Sequence, residues 1–241
     1  MKITLISLFI IFLAHHNVFS QETYNKTDNN GLKQGKWIKT WSNGIIKYQG
    51  QFKDDKPYGE FKYYYPSGKI KAIMTFSDNG HKASNISFYE SGKKMAEGNF
   101  IDKKKHGIWK YFSEDEKLIS EENYQNGKLE GKIITFYPET EKPFEIIEYK
   151  NGIKNGVWIK YFPDGKIMTK TQYIKGVLEG NFINYTIDGN VLVKGQYKND
   201  KQNGVWEFYD EATGKLLSKQ YFKNGVLINT ETFNSEQKNH N

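Results

Sequence analysis

The chain contains no cysteine. Disulfides, thiolate metal sites and a lipid-modified cysteine are thereby excluded. Arginine is absent as well, so all 35 basic residues are lysine. Nucleic-acid readers rely on the guanidinium fork for bidentate contacts to guanine and phosphate. Here the lysines are scattered among 28 acidic residues, and the net charge of +7 reads as a solvated surface. A nucleic-acid partner is not expected. Proline is scarce, at 5 residues against 22 glycines, which argues against a disordered or collagen-like composition. Long apolar runs are missing except at the start. There Lys2 precedes the run Leu5 to Ala14, and Val18 and Ser20 hold the small-residue positions of a cleavage site before Gln21. That run is too short to cross a bilayer core of roughly 30 Å as a helix. It reads as an export signal, and the protein is expected in the periplasm or outside the cell, not as a lipoprotein.

What the chain does have is aromatic side chains and a period. Tyr (17) and Phe (16) supply most of the large apolar surface, which favours strands over a helical core. Aligned on the glycine before an aromatic, eight units begin at Gly35, Gly59, Ser84, Gly107, Gly131, Gly156, Gly180 and Gly204. The third position of each holds Trp37, Phe61, Ile86, Trp109, Ile133, Trp158, Phe182 and Trp206. The sixth holds Thr40, Tyr64, Tyr89, Phe112, Phe136, Tyr161, Tyr185 and Tyr209. A column near position eighteen is aromatic throughout: Phe52, Phe76, Phe100, Tyr124, Tyr149, Tyr173, Tyr197 and Tyr221.

Each unit reads as two strands around a turn such as Pro163-Asp164-Gly165 or Pro66-Ser67-Gly68, where Pro sets φ and Gly takes a positive one. A longer connection, often with Asn-Gly as at Asn126-Gly127, leads to the next unit. A four-residue turn at positions seven to ten or eight to eleven fixes the register. Position three is then expected opposite sixteen, and the leading Gly opposite the ring at eighteen. With no bulge, parity places positions one, three and eighteen on one face and the sixth-position ring on the other. A buried ring contributes up to about 4–6 kcal/mol, too little for one hairpin to stand alone, so neighbouring units must share their surfaces.

The run Gly156-Val-Trp-Ile-Lys-Tyr-Phe-Pro-Asp-Gly165-Lys166, followed at Tyr173 by Tyr-x-x-Gly-x-x-x-Gly180, resembles the MORN repeat variant, a family that includes exported bacterial proteins and YwqK-type antitoxin components. The resemblance covers about Gly31 to Phe233. It implies an elongated, twisted antiparallel β-meander and a binding function without catalysis. Ser84 and Ile86 in the third unit depart from the pattern, as do Glu116 and Glu141 at the turn glycines of the fourth and fifth. These departures read as tolerated decay in a scaffold.

No constellation for chemistry emerges. His15, His16 and His240 lie in the leader and tail. His81 and His106 are expected as exposed loop residues about 10 Å apart, too far for a shared zinc. Glu114-Asp115-Glu116 and Glu121-Glu122 read as a solvated hairpin tip, and Gly127-Lys-Leu-Glu-Gly131-Lys132 lacks the Ser or Thr of a phosphate loop. Catalytic, cofactor and metal sites are therefore not expected. The candidate binding face is the sixth-position ladder: Tyr64, Tyr89, Phe112, Phe136, Tyr161, Tyr185 and Tyr209. If nothing in the chain covers it, such a surface marks a binding site.

The expected organisation is a signal peptide at 1–20, a linker at 21–34, an all-β array of about eight hairpin repeats at 35–233 and a polar tail at 234–241. The expected role is a non-enzymatic exported scaffold that binds protein, with an antitoxin or immunity component as one form. The alternative is a module that binds cell-wall glycan through exposed rings, as aromatic hairpin repeats do in choline- and glucan-binding proteins. A membrane surface is the remaining candidate partner.

Overall fold

The computed structural model describes residues 23–233; the expected leader and tail fall outside the described residues. One antiparallel sheet of 21 strands follows the chain, strands pairing with their sequence neighbours except that the two-residue strands Lys128–Leu129, Val177–Leu178 and Lys201–Gln202 pair only with the strand before them, which also pairs with the strand after. The described residues contain no α-helix, only a 3-10 turn at Asp78–Gly80. The segment expected as a linker carries the first strand, Lys26–Thr27, which pairs with Lys33 and Gln34.

Within a unit the register is the expected one. In the sixth, Gly156 pairs with Tyr173 and Trp158 with Thr171. A bulge is nonetheless present in every unit, between positions five and six, as at Lys160/Tyr161. It falls beyond position three and leaves the leading residue and the columns at three and eighteen in register. The tip that follows is a tight loop. The amide of Phe162 donates to the Lys166 carbonyl and that of Gly165 to the Phe162 carbonyl, with Gly165 at φ +96°. This is the type I turn plus left-handed residue of a three-residue hairpin loop. In the fourth and fifth units Glu116 and Glu141 adopt the same left-handed conformation, at φ +62° and +54°.

The connection between units is shorter than expected. Most junctions are two-residue turns, both residues at positive φ: Asn151 (+52°) and Gly152 (+83°), or Asp54 (+51°) and Asp55 (+62°). That is the type I′ hairpin, whose twist matches the flanking strands. What reads in the sequence as the rest of a connection is strand: Lys128–Leu129, Val177–Leu178 and Lys201–Gln202 continue the ladder before it breaks at the leading Gly. At these breaks the register shifts, and the leading glycines sit at positive φ, from +67° at Gly59 to +125° at Gly156.

The third unit is built differently. Strands Ile70–Ser77 and Lys82–Phe88 pair without any shift, closing over the 3-10 turn. With no shift there is no need for a left-handed residue, and Ala83, not Ser84, takes the leading place opposite Phe100. The unit starts become 35, 59, 83, 107 and 131, a constant step of 24 residues. Ile86 therefore does not hold the third position; Asn85 does, opposite Gly98, and Ile86 points to the other face at 36% exposure. Phe88 replaces Tyr89 at the sixth position, pairing with Lys94. In the eighth unit a longer tip, Asp210 to Lys215, brings Phe222 instead of Tyr221 opposite Gly204.

Both margins of the ribbon are clamped from unit to unit. Along the tips, the seventh-position side chain donates to the carbonyl of the next unit's sixth residue: Trp41 to Tyr64, Tyr65 to Phe88, Tyr89 to Phe112 and Tyr137 to Tyr161, at 2.7 to 3.2 Å. Along the connections, the second turn residue donates its amide to the unit before, as Gly152 does to Leu129 and Gly176 to Lys154, both at 2.8 Å.

Candidate binding groove

The first face of the sheet holds the rings at positions three, five and eighteen. What sets their burial is the residue at position sixteen of the preceding unit. Phe61, Trp109 and Trp206 are the most deeply buried rings, at 2–3% exposure. Each lies over a glycine, respectively Gly50, Gly98 and Gly195, where an added Cβ would fall 2.3 to 2.4 Å from the ring. Bare backbone gives the indole or phenyl its bed. Where that place is held by Thr171, or by Ile147 (position seventeen, since the fifth unit's tip is one residue longer), the next ring, Phe182 or Trp158, stays half-buried.

These rings group into clusters. Trp37, Phe52, Phe61 and Phe76 form a chain of edge contacts with centroids 5.0 to 6.0 Å apart. Phe100 meets Trp109 at 4.9 Å, with Tyr111 beyond. Phe182, Tyr197, Trp206 and Phe222 make a third group. Between the first two groups lies the stretch of the third unit before Phe100, whose first-face residues are Ala83, Asn85, Ser87, Ala96 and Gly98. No large side chain rises from that stretch of floor.

The result is a groove of about 900 Å³. Phe52, Phe61, Tyr63, Met74 and Phe76 line one side, and Ala83 and Phe100 the other. Its rim is polar and formed by the connecting turns: Asp55, Lys56, Asn79, Gly80, His81, Asp102 and Lys103. Gly80 is packed so closely on Pro57 that a Cβ would lie 2.7 Å from its ring, which holds the 3-10 turn over the end of the groove. His81 Nδ1 and Asp102 Oδ1 are 2.7 Å apart across the rim. The volume and apolar lining are those of sites that take an organic side chain or small ligand.

The sixth-position residues Tyr64, Phe112, Phe136, Tyr161, Tyr185 and Tyr209 occupy the second face, and all are half-buried. Lysines cover part of it: Lys94 Nζ is 5.2 Å from the Phe112 ring centre and Lys194 Nζ 5.4 Å from that of Tyr209. Tyr89 is not among them, because it belongs to the tip clamp. Glu207 on this face accepts from Lys194 at 2.7 Å and from Tyr209 at 2.6 Å, and these bonds hold its carboxyl below the usual range.

Other residues singled out in the sequence are dispersed. His106 stands on the strand Lys104–Phe112, half-buried, with no hydrogen-bond partner for Nδ1, and is not a loop residue. Glu114, Asp115 and Glu116 are exposed at a tip as expected. Glu121 and Glu122 are instead on the strand Leu118–Gln125 and face opposite ways, Glu121 to Lys110 at 3.2 Å and Glu122 to the Tyr124 hydroxyl. Sequence reasoning missed both the groove and the seventh-position tyrosines. The signal for the groove lies in the third unit's departures from the pattern.

The MORN repeat variant family matches residues 57–78, 105–126 and 154–175, which frame the second, fourth and sixth units. No curated protein matches the chain. Similar solved structures include TarM, 19% identical over 39% of this chain and 20% of that one, TM-score 0.29. A point mutant of S. aureus TarM in complex with Fondaparinux, alpha-GlcNAc-glycerol and UDP is 17% identical, over 40% of this chain and 19% of that one, TM-score 0.31. TcdB2-TccC3 without its hypervariable C-terminal region is 12% identical over 78% of this chain and 11% of that one, TM-score 0.23. This chain thus spans a fifth or less of each of those chains.

Proposed function

We propose, from the premise that the chain is built of MORN-variant repeats and is a repeat scaffold for binding, that it is an exported, non-enzymatic protein that binds a polypeptide in the groove of the third unit. The observation that carries this reading is the break in the ring column. Seven units place a ring or an aliphatic at position three; the third unit has Asn85 there, and its leading residue Ala83 lines an aromatic-walled trough of about 900 Å³. Partner side chains that anchor protein complexes are commonly aromatic or otherwise bulky and enter pockets of this kind. An immunity factor that holds a toxin would be one form of such a scaffold. The half-burial of the sixth-position rings leaves a sugar less ring face to stack on, which favours the protein reading over the glycan one.

Selection of a random linear peptide library on the full chain tests this. Binders are expected, and Ala83→Phe, which fills the groove from its floor, is expected to weaken them more than tenfold while Tyr161→Ala leaves them unchanged. A library that yields no binder, or binders indifferent to Ala83→Phe, refutes the proposal.

A further inference from the structure

From the fourth unit on, the two margins of the ribbon differ in charge. The connecting margin, residues 101–105, 125–130, 150–154, 174–179, 198–203 and 223–226, holds ten lysines and four carboxylates. The opposite margin, the tips at residues 113–117, 137–142, 162–166, 186–190 and 210–215, holds four lysines and nine carboxylates. The two kinds of segment alternate along the chain, so the lysines look scattered in the sequence. The meander sorts them to opposite sides.

The lysines of the two margins also differ in what they touch. At the tips Lys117 meets Glu141 at 3.6 Å, Lys166 meets Asp164 at 3.5 Å, and Lys142 donates to the Asp164 carbonyl. On the connecting margin Lys105 and Lys154 lie over rings. Lys104, Lys128, Lys150, Lys175, Lys198 and Lys201 are exposed and, among the described residues, make no ion pair. The carboxylates beside them are engaged elsewhere. Glu130 accepts from the Asn151 amide at 2.7 Å, Glu179 from that of Asn199 at 2.9 Å and Asp200 from that of Leu178 at 2.7 Å, while Asp102 faces His81. The glycine of the following turn lies against three of the lysine stems: a Cβ on Gly127, Gly152 or Gly225 would meet the Cβ of Lys104, Lys128 or Lys201 at 3.4 to 3.8 Å. That contact fixes where each stem starts and leaves its ammonium free to follow a ligand.

We infer that this connecting margin, from the fourth unit to the eighth, binds a flexible linear polymer of phosphate groups. Neighbouring junctions are two strands apart, about 10 Å, so the row extends for roughly 50 Å. Adjacent strands rotate by about 20–25°, so each junction is turned by roughly 45° from the last and the row winds around the ribbon. A flat bilayer meets only a small part of such a row, whereas a flexible chain follows it. None of these segments contains an aromatic residue, so there is no ring on which a nucleic-acid base would stack. Lysine ammonium groups are point charges on flexible stems and read charge, not shape. The partner they fit carries its charge in the backbone itself, as a phosphate chain does. The inference is independent of the groove and stands or falls without it.

The test is binding of the full chain to long-chain inorganic polyphosphate across a range of salt concentrations. The wild type is expected to bind, with affinity falling as salt rises through release of counterions. Replacing Lys128, Lys150, Lys175 and Lys201 together by Gln is expected to weaken binding at least tenfold, and replacing the same four by Arg to leave it nearly unchanged. Replacing the tip lysines Lys117, Lys142, Lys166 and Lys215 by Gln removes the same net charge and is expected to have little effect. Equal losses from the margin and tip sets would mean that net charge alone is being read, and would overturn the inference. A wild type that does not bind, or an Arg set that loses as much as the Gln set, overturns it as well. So does equally tight binding to poly-glutamate, which would make the margin a surface for acidic peptides, or to phosphatidylglycerol vesicles, which would make it a membrane contact.

Discussion

The ring of Trp109 lies where a side chain on Gly98 would have to be: a Cβ there would sit 2.4 Å from the indole. Gly98 has no need of a left-handed backbone, so its requirement is for space alone. Gly107, two residues before Trp109, presents the opposite case, with φ at +69° and nothing within 4 Å of a would-be Cβ. Gly98→Ala should cost about 1–3 kcal/mol by overpacking and displace the Trp109 indole resonance. Gly107→Ala should cost about 1–2 kcal/mol through backbone strain and leave that resonance nearly in place. Denaturation combined with indole NMR separates the two, and an unmoved indole in Gly98→Ala would disprove the glycine-bed explanation.

Glu141 occupies a left-handed turn position, φ +54°, that glycine fills in most units. Among the described residues its one ionic contact is Lys117 at 3.6 Å, with both side chains about half exposed, and a pair of that kind contributes little. Glu141→Gly should therefore stabilise the fifth unit by roughly 1 kcal/mol. Thermal unfolding checks this, and a lowered midpoint would mean the glutamate has a role beyond the turn.

Tyr137 tests the clamp along the tips. Its hydroxyl donates to the Tyr161 carbonyl at 2.8 Å and joins the fifth unit to the sixth. Tyr137→Phe keeps the ring and removes the bond, with an expected loss of about 1 kcal/mol. Since stability in a repeat array is a sum of local terms, hydrogen exchange is the sensitive readout. Amides of the 162–166 loop should exchange faster while those of the second unit stay unchanged.

The Glu207 carboxyl, held down by Lys194 and Tyr209, gives a pH signature. Its folded pKa is below the unfolded value of about 4.3, so its contribution is complete above that value and is lost as pH falls through the folded one. Glu207→Gln should flatten the stability profile on the acid side and change little near neutrality. An acid slope identical to wild type would contradict the assignment.

Much of this architecture is legible in the chain. Position one opposite eighteen and three opposite sixteen follow from turn length and the two-residue strand period, and both hold wherever the tip is of ordinary length. Alignment on the glycine before an aromatic misplaces the third unit by one, because that unit has no such glycine and Ser84 lies beside the true site. Glycine is required there only where the ladder shifts register, and between Ile70–Ser77 and Lys82–Phe88 it does not. A strict step of 24 selects Ala83. The seventh-position tyrosines escape notice because their partners are backbone carbonyls, which leave no mark in side-chain patterns. The groove escapes because small and polar residues in a ring column look like decay until the rings of the neighbouring units are placed beside them.

Completing the interrupted column with Asn85→Trp is the most direct trial of the claim that the third unit is a built binding site. Trp158 beside Ile147 shows that an indole is accommodated next to an aliphatic at this position. The dissociation constant of a selected peptide, measured on the folded variant, should rise more than tenfold while the thermal midpoint holds or increases. A folded Asn85→Trp protein that binds the peptide as tightly as wild type would show that the gap has no part in recognition.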